Sequence, residues 1–141
     1  MSLAIKEAIK AKNKDEVPVV AIIVGGYGNV IPKAHNLVET RNDPTCHAEK
    51  LVIEKALKIK GQRFLNDCDM WVTLEPCVMC AGLIKQTRIR RLYYGAEDKK
   101  GGAVDNGVRV FSDYKTSIEI YSGFSADHSE RLLKDFYHDI R

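Results

Sequence analysis

The chain has 141 residues, of which 45% are hydrophobic and 29% are charged, and its net charge is +3. This composition is typical of a globular protein, and the length predicts one domain, residues 1–141, that buries about 68% of the surface of its unfolded chain. The composition excludes a membrane-spanning helix, because the longest apolar run, residues 17–24, is shorter than the roughly 20 residues that a bilayer requires. Charged and apolar residues alternate at the start of the chain, so we expect no signal peptide and a cytoplasmic location.

Apolar periodicity and turn residues predict helices that alternate with strands. The first segment, residues 2–12, is predicted to form a helix whose inner stripe includes Ile5 and Ile9. The glycine-rich segment 25–28 predicts a hairpin turn between two strands. The predicted strands are residues 17–24, 30–34, 69–74, 91–95 and 117–121; the further predicted helices are residues 45–60, 77–86 and 125–140, and a long loop is predicted at residues 96–115.

The order of these elements predicts the fold class. A strand, a helix and a strand follow one another with short joints over residues 69–95, which is typical of a parallel strand pair. The hairpin adds an antiparallel pair at one edge. We therefore predict an α/β domain of three layers, α/β/α, in which a mixed five-stranded sheet carries helices on both faces.

The stretch TLEPCVMCAG, residues 73–82, contains two thiols at the spacing of metal ligands. Cys77 and Cys80 are three residues apart, so they share one face of a helix and both sulfurs reach one ion. Pro76 is tolerated at the opening of a helix, where unpaired amides carry positive partial charge that favours thiolates. Both cysteines are therefore candidate metal ligands, although a lone CxxC pair is also typical of a dithiol oxidoreductase.

A third ligand is predicted upstream, in the stretch NDPTCHAE, residues 42–49. His47 and Glu49, followed by Pro-Cys-x-x-Cys, form the signature of zinc deaminases. One imidazole and two thiolates occupy three tetrahedral positions on zinc and leave the fourth for a water. Glu49 is then the candidate general base for this water. Because His47 and Glu49 point in different directions on a regular helix, we expect the zinc at the helix N-terminus, with Thr45 or Asp43 as the cap.

The other two cysteines carry no predicted chemistry. Cys46 and Cys68 are expected to be small buried hydrophobic residues, and a disulfide is disfavoured in a reducing compartment. A purely structural zinc site would use a fourth protein ligand, so three ligands with Glu49 beside them favour a catalytic metal.

Two further features predict contacts with a substrate. Asn36 precedes the His47 helix, where its amide could bond the edge of a base or, alternatively, form a turn or cap. A group of basic residues follows the second cysteine of the CxxC pair and predicts either a phosphate-binding rim near the metal or a solvated surface. These basic residues are Lys85, Arg88, Arg90, Arg91, Lys99 and Lys100.

The two cysteine-containing stretches, together with the segment RRLYYGAEDKKGGA at residues 90–103, resemble the bacterial tRNA-specific adenosine deaminases over nearly the whole chain. The resemblance implies a cytidine deaminase-like fold and a homodimer. It implies that one zinc is held by His47, Cys77 and Cys80, and that Glu49 transfers protons. It further implies that Asn36 bonds the flipped base and that Asp98 contacts the substrate backbone near the target ribose.

The function predicted from these features is hydrolytic deamination of the wobble adenosine in a tRNA anticodon loop by a zinc-activated water. The first alternative is deamination of a free base or nucleoside, such as cytosine or guanine, which needs no basic rim. A non-catalytic, zinc-stabilised RNA-binding module is a second alternative, but it has no use for Glu49. The substrate partner expected is therefore a tRNA anticodon stem-loop.

Overall fold

The computed structural model of the protein describes residues 1–113, 115 and 117–140. The elements, in chain order, are α1 (Ser2–Lys12), β1 (Val20–Val24), β2 (Val30–His35), α2 (Val38–Arg41), α3 (Ala48–Lys60), β3 (Asp69–Leu74), α4 (Val78–Gln86), β4 (Arg91–Ala96), β5 (Glu119–Tyr121) and α5 (Ala126–Asp139). Within these described residues, no helix has the length and apolar character needed to cross a membrane.

The five strands form one mixed sheet in the order β2-β1-β3-β4-β5. β1 is antiparallel to both of its neighbours, whereas β3, β4 and β5 run parallel to one another. The hairpin between β1 and β2 closes where the Gly25 amide donates to the Asn29 carbonyl, at 2.9 Å. The prediction of a mixed five-stranded sheet with a hairpin at one edge is therefore confirmed.

Helices cover both faces of the sheet, as the alternation of side chains along β1 requires. Ala21 and Ile23 pack in the larger core with residues of α3 and α4, such as Val52 and Ile84. The intervening residues of β1 pack on the other face against α1, with a contribution from α5; this smaller core comprises Ala4, Ala8, Val20 and Ile22, with Met1, Val24, Trp71 and Leu132 against it. The three-layer α/β/α arrangement is confirmed.

Several predicted boundaries differ from the structure. β1 begins at Val20 rather than at residue 17, because Pro18 has no N–H for a strand ladder and Val19 N donates locally to the Val17 carbonyl at 2.7 Å. The helix α2 lies in a region predicted to be a loop. Ile9 is 40% exposed and does not belong to the inner stripe of α1. Residue 114 of the predicted loop 96–115 lies outside the described residues.

Candidate metal centre and active site

Two helix starts converge on the site. His47 is the N-cap of α3 and Cys77 is the N-cap of α4, and both have an extended backbone, with ψ of 151° and 176°. Neither side chain caps its own helix, so the imidazole and the sulfur are available to other partners. The predicted capping of α3 by Thr45 or Asp43 is wrong, because the Thr45 amide and hydroxyl donate to Asp43 Oδ1 at 2.9 and 2.7 Å in a separate turn.

The three predicted ligand atoms lie at the spacing that zinc requires. The Nδ1 atom of His47 is 3.6 Å from the sulfurs of both Cys77 and Cys80, and the three atoms all lie within 4.8 Å of one another. Tetrahedral zinc, with bonds of about 2.1 Å to nitrogen and 2.3 Å to sulfur, places these atoms about 3.6 Å apart. In the described part of the chain, these residues are the one group of three or more potential ligands that meets this distance limit.

The charges of the two thiols also favour a cation. A hydrogen bond from Cys80 lowers the pKa of Cys77 to about 4, and the same interaction, together with burial, raises the pKa of Cys80. The side chains alone therefore stabilise one thiolate rather than two. A divalent cation between the sulfurs would stabilise both thiolates, since ligand deprotonation is coupled to metal binding.

Glu49 lies beside the ligand cluster in the first turn of α3, and it is only 4% exposed. Burial raises the pKa of Glu49 to about 7, although the charge on His47 opposes this effect. A carboxyl group with a pKa near the working pH can both accept and return a proton, which is the requirement for general acid–base catalysis.

A cavity of about 300 Å³ opens beside these residues, which is within the size range of small-molecule sites. Its polar lining includes five of the six predicted site residues, namely His47, Glu49, Cys77, Asn36 and Asp98. The sixth predicted residue, Cys80, is fully buried. The structure thus brings together side chains that are spread over more than 60 positions in the sequence, from 36 to 98.

Asn36 is placed so that its amide can bond a ligand. It follows the last residue of β2, is 6% exposed and lines the cavity. Its backbone is fixed, because Asn36 N donates to the Val19 carbonyl at 3.1 Å and the Asn36 carbonyl lies 2.9 Å from Nδ1 of His35. In the described ranges its side chain has no hydrogen-bond partner, so a cap or turn interaction of the Asn36 amide does not occur there.

Asp98 lies at the mouth of the cavity, in the loop after β4. One carboxylate oxygen, Oδ1, accepts hydrogen bonds from the amides of Lys100 and Gly101 at 3.1 and 2.9 Å. Asp98 also lines a second, wider cavity of about 780 Å³ that shares Val17, Leu74 and Tyr137 with the first cavity. The two cavities together form a groove that leads away from the metal ligands.

Sequence reasoning missed one residue of this site, Glu75. It lies between the apolar strand β3 and Pro76, lines the cavity and is 2% exposed. The signal in the sequence was a carboxylate at the end of a buried strand, two residues before a predicted metal ligand, where a charge without partners would be costly.

The predicted basic rim is divided between the two ends of the parallel strands β3 and β4. Lys99 and Lys100 line the wider cavity, near the metal ligands. In contrast, Lys85, Arg88 and Arg90 line a separate cavity of about 460 Å³. Arg90 and Arg91 lie at the start of β4, the end of the strand opposite to the metal ligands. The rim near the metal is therefore wrong for these four residues, because α4 and β4 carry them away from Cys80.

Comparisons with known proteins agree with this geometry. Residues 1–96 match the family described as the cytidine and deoxycytidylate deaminase zinc-binding region. The chain is 46% identical to the tRNA-specific adenosine deaminase of Agrobacterium fabrum over 100% of this chain and 93% of that protein. It is 38% identical to the protein of the same name from Bacillus subtilis, over 100% of this chain and 88% of that protein.

A solved structure from a study of A-to-I editing by tRNA:A34 deaminases at the wobble position is 47% identical. It superposes with a TM-score of 0.89 and covers 94% of this chain and 97% of its own. A guanine deaminase from Nitrosomonas europaea shares the fold at a TM-score of 0.86, but at only 19% identity, over 97% of this chain and 82% of that chain.

The fold and the His-Cys-Cys cluster thus define a zinc-dependent deaminase, a hydrolytic enzyme with one zinc per subunit. Within this class, the chain belongs to the family of the tRNA-specific adenosine deaminases.

Proposed function

We propose that this protein converts the wobble adenosine of a tRNA anticodon loop to inosine, with water as the second substrate and ammonia as the second product. The observation that carries the proposal is the placement of Glu49, buried beside a three-residue ligand cluster in a chain of this family. A structural zinc site would use a fourth protein ligand and would have no role for a buried carboxylate.

His47, Cys77 and Cys80 are the residues that would hold zinc. When bound, zinc polarises water and lowers its pKa, so that water can attack the ring carbon that bears the amino group. The unpaired amides at the starts of α3 and α4 add positive partial charge around the two sulfurs, which stabilises their thiolate forms.

Glu49 moves the protons. Its carboxylate accepts a proton from the attacking water and delivers it to the ring nitrogen next to the attacked carbon. It then takes the proton of the newly added hydroxyl group and passes it to the amino group, which leaves as ammonia while the ring carbonyl forms. One carboxyl group can perform all of these transfers because its pKa, raised by burial to about 7, makes both protonation states accessible.

Asn36 orients the base. Its carboxamide offers one acceptor and two donor hydrogens, and in the described residues these are not used by the protein. The catalytic carboxylate is buried, so a base must leave its stack to reach it, as an unpaired anticodon nucleotide does at lower cost than a paired one.

The groove beyond the catalytic cavity supports a polynucleotide substrate rather than a free base. Its lining carries both signs of charge: Lys134 pairs with Glu130 at 3.9 Å, whereas Lys99 and Lys100 offer positive charge to phosphates. Tyr137, which is 47% exposed and lines both cavities, offers a ring on which a neighbouring base can stack. A free base fills only the inner cavity and gains nothing from these side chains.

We also propose that the protein acts as a homodimer in the cytoplasm, where its tRNA substrate is found. Two exposed apolar side chains support a dimer, since Val78, next to Cys77, is 59% exposed and Val108 is 70% exposed. Light scattering should give twice the chain mass of 15.9 kDa, and Val78→Glu should shift the protein toward the monomer. A fully active wild-type monomer would refute the dimer.

The function is tested by incubating the zinc-loaded protein with an anticodon stem-loop that carries a wobble adenosine. Nucleoside mass analysis should show inosine at that position, and a stem-loop with guanosine there serves as the control. Free adenosine, guanine and cytosine should be consumed far more slowly. Rapid loss of a free base, with no inosine in the stem-loop, would replace the proposal with the free-base alternative.

A further inference from the structure

Glu75 takes no part in the proton transfers described above, yet it is one of the most buried charged residues of the chain, at 2% exposure. Both of its oxygens accept hydrogen bonds from the loop after β4. Oε1 accepts from the amides of Val104, Asp105 and Asn106, at 3.1, 2.8 and 3.0 Å. Oε2 accepts from the amide of Asp98 at 2.9 Å and from Nδ2 of Asn106 at 2.7 Å.

These contacts wrap the loop, residues 97–107, around a single carboxylate. The fit is close at Gly102, where a Cβ atom would lie 2.5 Å from both Oε2 of Glu75 and the Asp98 carbonyl. No side chain fits there without displacing the loop. A second support comes from Asp105, whose carboxylate accepts a hydrogen bond from the hydroxyl of the buried Tyr94.

The loop is also attached to the segment between β3 and α4, where the predicted zinc ligand Cys77 lies. Gly102 pairs with Cys77 in an isolated antiparallel bridge, and the Ala103 amide donates to the Pro76 carbonyl at 2.9 Å. Glu75 is in turn fixed by its own amide, which donates to the Ala96 carbonyl at 2.8 Å. The loop is therefore joined to Cys77 by backbone contacts that do not involve the Glu75 carboxylate.

Asp98 is the member of the loop that lines both the catalytic cavity and the outer groove. Its amide is held by Oε2 of Glu75, and its own Oδ1 is held by the next turn of the loop. Without the Glu75 carboxylate, four backbone amides of the loop lose their acceptor, and Asp98 loses the contact that fixes its position over the cavity.

We propose that Glu75 is a positioning residue for substrate binding, which anchors the loop 97–107 and so holds Asp98 at the cavity mouth to contact the backbone of the target nucleotide. This role rests on the function proposed above. It differs from a general structural role because it acts on substrate binding through one loop, and leaves the metal ligands and proton transfer unchanged.

Glu75→Gln tests the proposal, because it keeps the size of the side chain but turns one acceptor oxygen into an NH₂ donor that faces other donors. Hydrogen–deuterium exchange should become at least about tenfold faster at the amides of Asp98, Val104, Asp105 and Asn106, with the β1 and β3 amides still protected. Zinc content should remain that of the wild type. The KM for the stem-loop should rise about tenfold, with a smaller change in kcat.

Glu119→Gln is the matched control, since Glu119 is an exposed carboxylate on β5 that pairs with Arg91 and lies outside the site. It should leave loop exchange, KM and kcat unchanged. In a double-mutant cycle, Glu75→Gln should add little to the KM of Asp98→Ala, because both remove the same contact. Should Glu75→Gln not fold, Asn106→Ala removes one donor to Oε2 and should raise loop exchange and KM by a smaller factor.

Unchanged exchange in the loop would overturn the proposal, whatever the activity. Loss of zinc with an unchanged KM would also overturn it and would assign Glu75 to the placement of Cys77. Additive effects of the two substitutions would separate Glu75 from Asp98. A wild-type protein that makes no inosine would instead refute the function proposed above, and the exchange measurement would still decide whether Glu75 anchors the loop.

Discussion

The two ends of the parallel strands β3 and β4 hold their charged side chains in different ways. At the carboxyl ends of β3 and β4, Glu75 is buried and accepts hydrogen bonds mainly from backbone amides. At the amino ends of these strands, Arg90 forms a two-point pair with Asp69, with both distances 3.0 Å, and Arg91 pairs with Glu119 at 2.7 Å. The second set of pairs is partly exposed to solvent, where ion pairs contribute little to stability.

The comparison also shows that the size of a cavity does not identify the end of the strands where the site lies. The cavity lined by Lys85 and Arg88 has a volume of about 460 Å³, and the cavity beside Glu49 has a volume of about 300 Å³. Only the smaller one brings a metal-ligand cluster and a buried carboxylate to one point. Reactive groups therefore converge at the carboxyl ends of the parallel strands, where ligands bind in open α/β sheets.

The largest effect is expected from Cys77→Ser, which replaces a thiolate ligand with a weaker hydroxyl. Zinc content should fall from about one per chain to nearly zero, and deamination should be lost with it. Elemental analysis by mass spectrometry and the stem-loop assay would measure both. Cys68→Ser is the control, because Cys68 is fully buried away from the ligand cluster. Full zinc content in Cys77→Ser would contradict the ligand assignment.

Glu49→Gln should separate metal binding from proton transfer in the same cavity. The amide keeps the shape of the side chain but cannot accept a proton from water, so kcat should fall by about 10²–10⁴. Zinc content and the KM should change little. Normal turnover in Glu49→Gln, measured by inosine formation under single-turnover conditions, would refute the proposed general base.

Asn36→Ala should have an intermediate effect. Loss of its hydrogen bonds to the base costs about 1–3 kcal/mol, so kcat/KM should fall about 5- to 160-fold while zinc remains bound. Asn36→Asp is the informative partner variant, since it keeps an acceptor and loses the amide donors. Unchanged kinetics in Asn36→Ala would remove Asn36 from the substrate site.

The loss of protein stability should differ when the carboxylate at one or the other end of the strands is neutralised. Glu75→Gln removes acceptors from buried backbone amides, so the free energy of unfolding in urea should fall by about 2–3 kcal/mol. Glu119→Gln should have the smallest effect of all. Equal losses of unfolding free energy in the two variants would contradict the contrast between the two ends of the strands.

The small contribution of Glu119 to the stability of the folded protein should depend on pH and salt. The hydrogen bond from Arg91 lowers the pKa of Glu119 below its ordinary value of 4.5. Its contribution is therefore fully present above pH 4.5 and is lost as the pH falls through the lower pKa of the folded state. It should also disappear in high salt, because the pair is exposed. A difference between wild type and Glu119→Gln that grows in acid would contradict this sign.

The sequence predicted best what depends on local spacing. The predicted bounds of the strand 69–74 and the predicted end of the helix 45–60 agree with β3, Asp69–Leu74, and with the end of α3 at Lys60. His47, Cys77 and Cys80 are predicted as one ligand set because each motif lies at a helix start, and the structure places their ligand atoms within 4.8 Å of one another. The exact start of α3 could not be predicted, because the Asp43–Thr45 turn competes with the helix for the same amides.

The errors concern contacts between distant segments. The nearness of Lys85 to Cys80 in sequence leaves a rim near the metal and a solvated surface as alternatives, but five residues along α4 advance Lys85 about 7.5 Å from Cys80 and place it at a separate cavity. Glu75 was missed because its partners lie 23 to 31 residues further along the chain. Their contact depends on the parallel crossover and on the path of the loop, which no local pattern encodes.

The central claim is that one imidazole and two sulfurs hold zinc and leave one coordination position beside Glu49. X-ray absorption at the zinc edge of the wild-type protein, loaded with one equivalent of zinc, tests this directly. The spectrum should show two sulfurs at about 2.3 Å and two nitrogen or oxygen ligands at about 2.0–2.2 Å, only one of them an imidazole. A third sulfur or a second imidazole would mean that the protein closes the site, and would contradict the proposed chemistry.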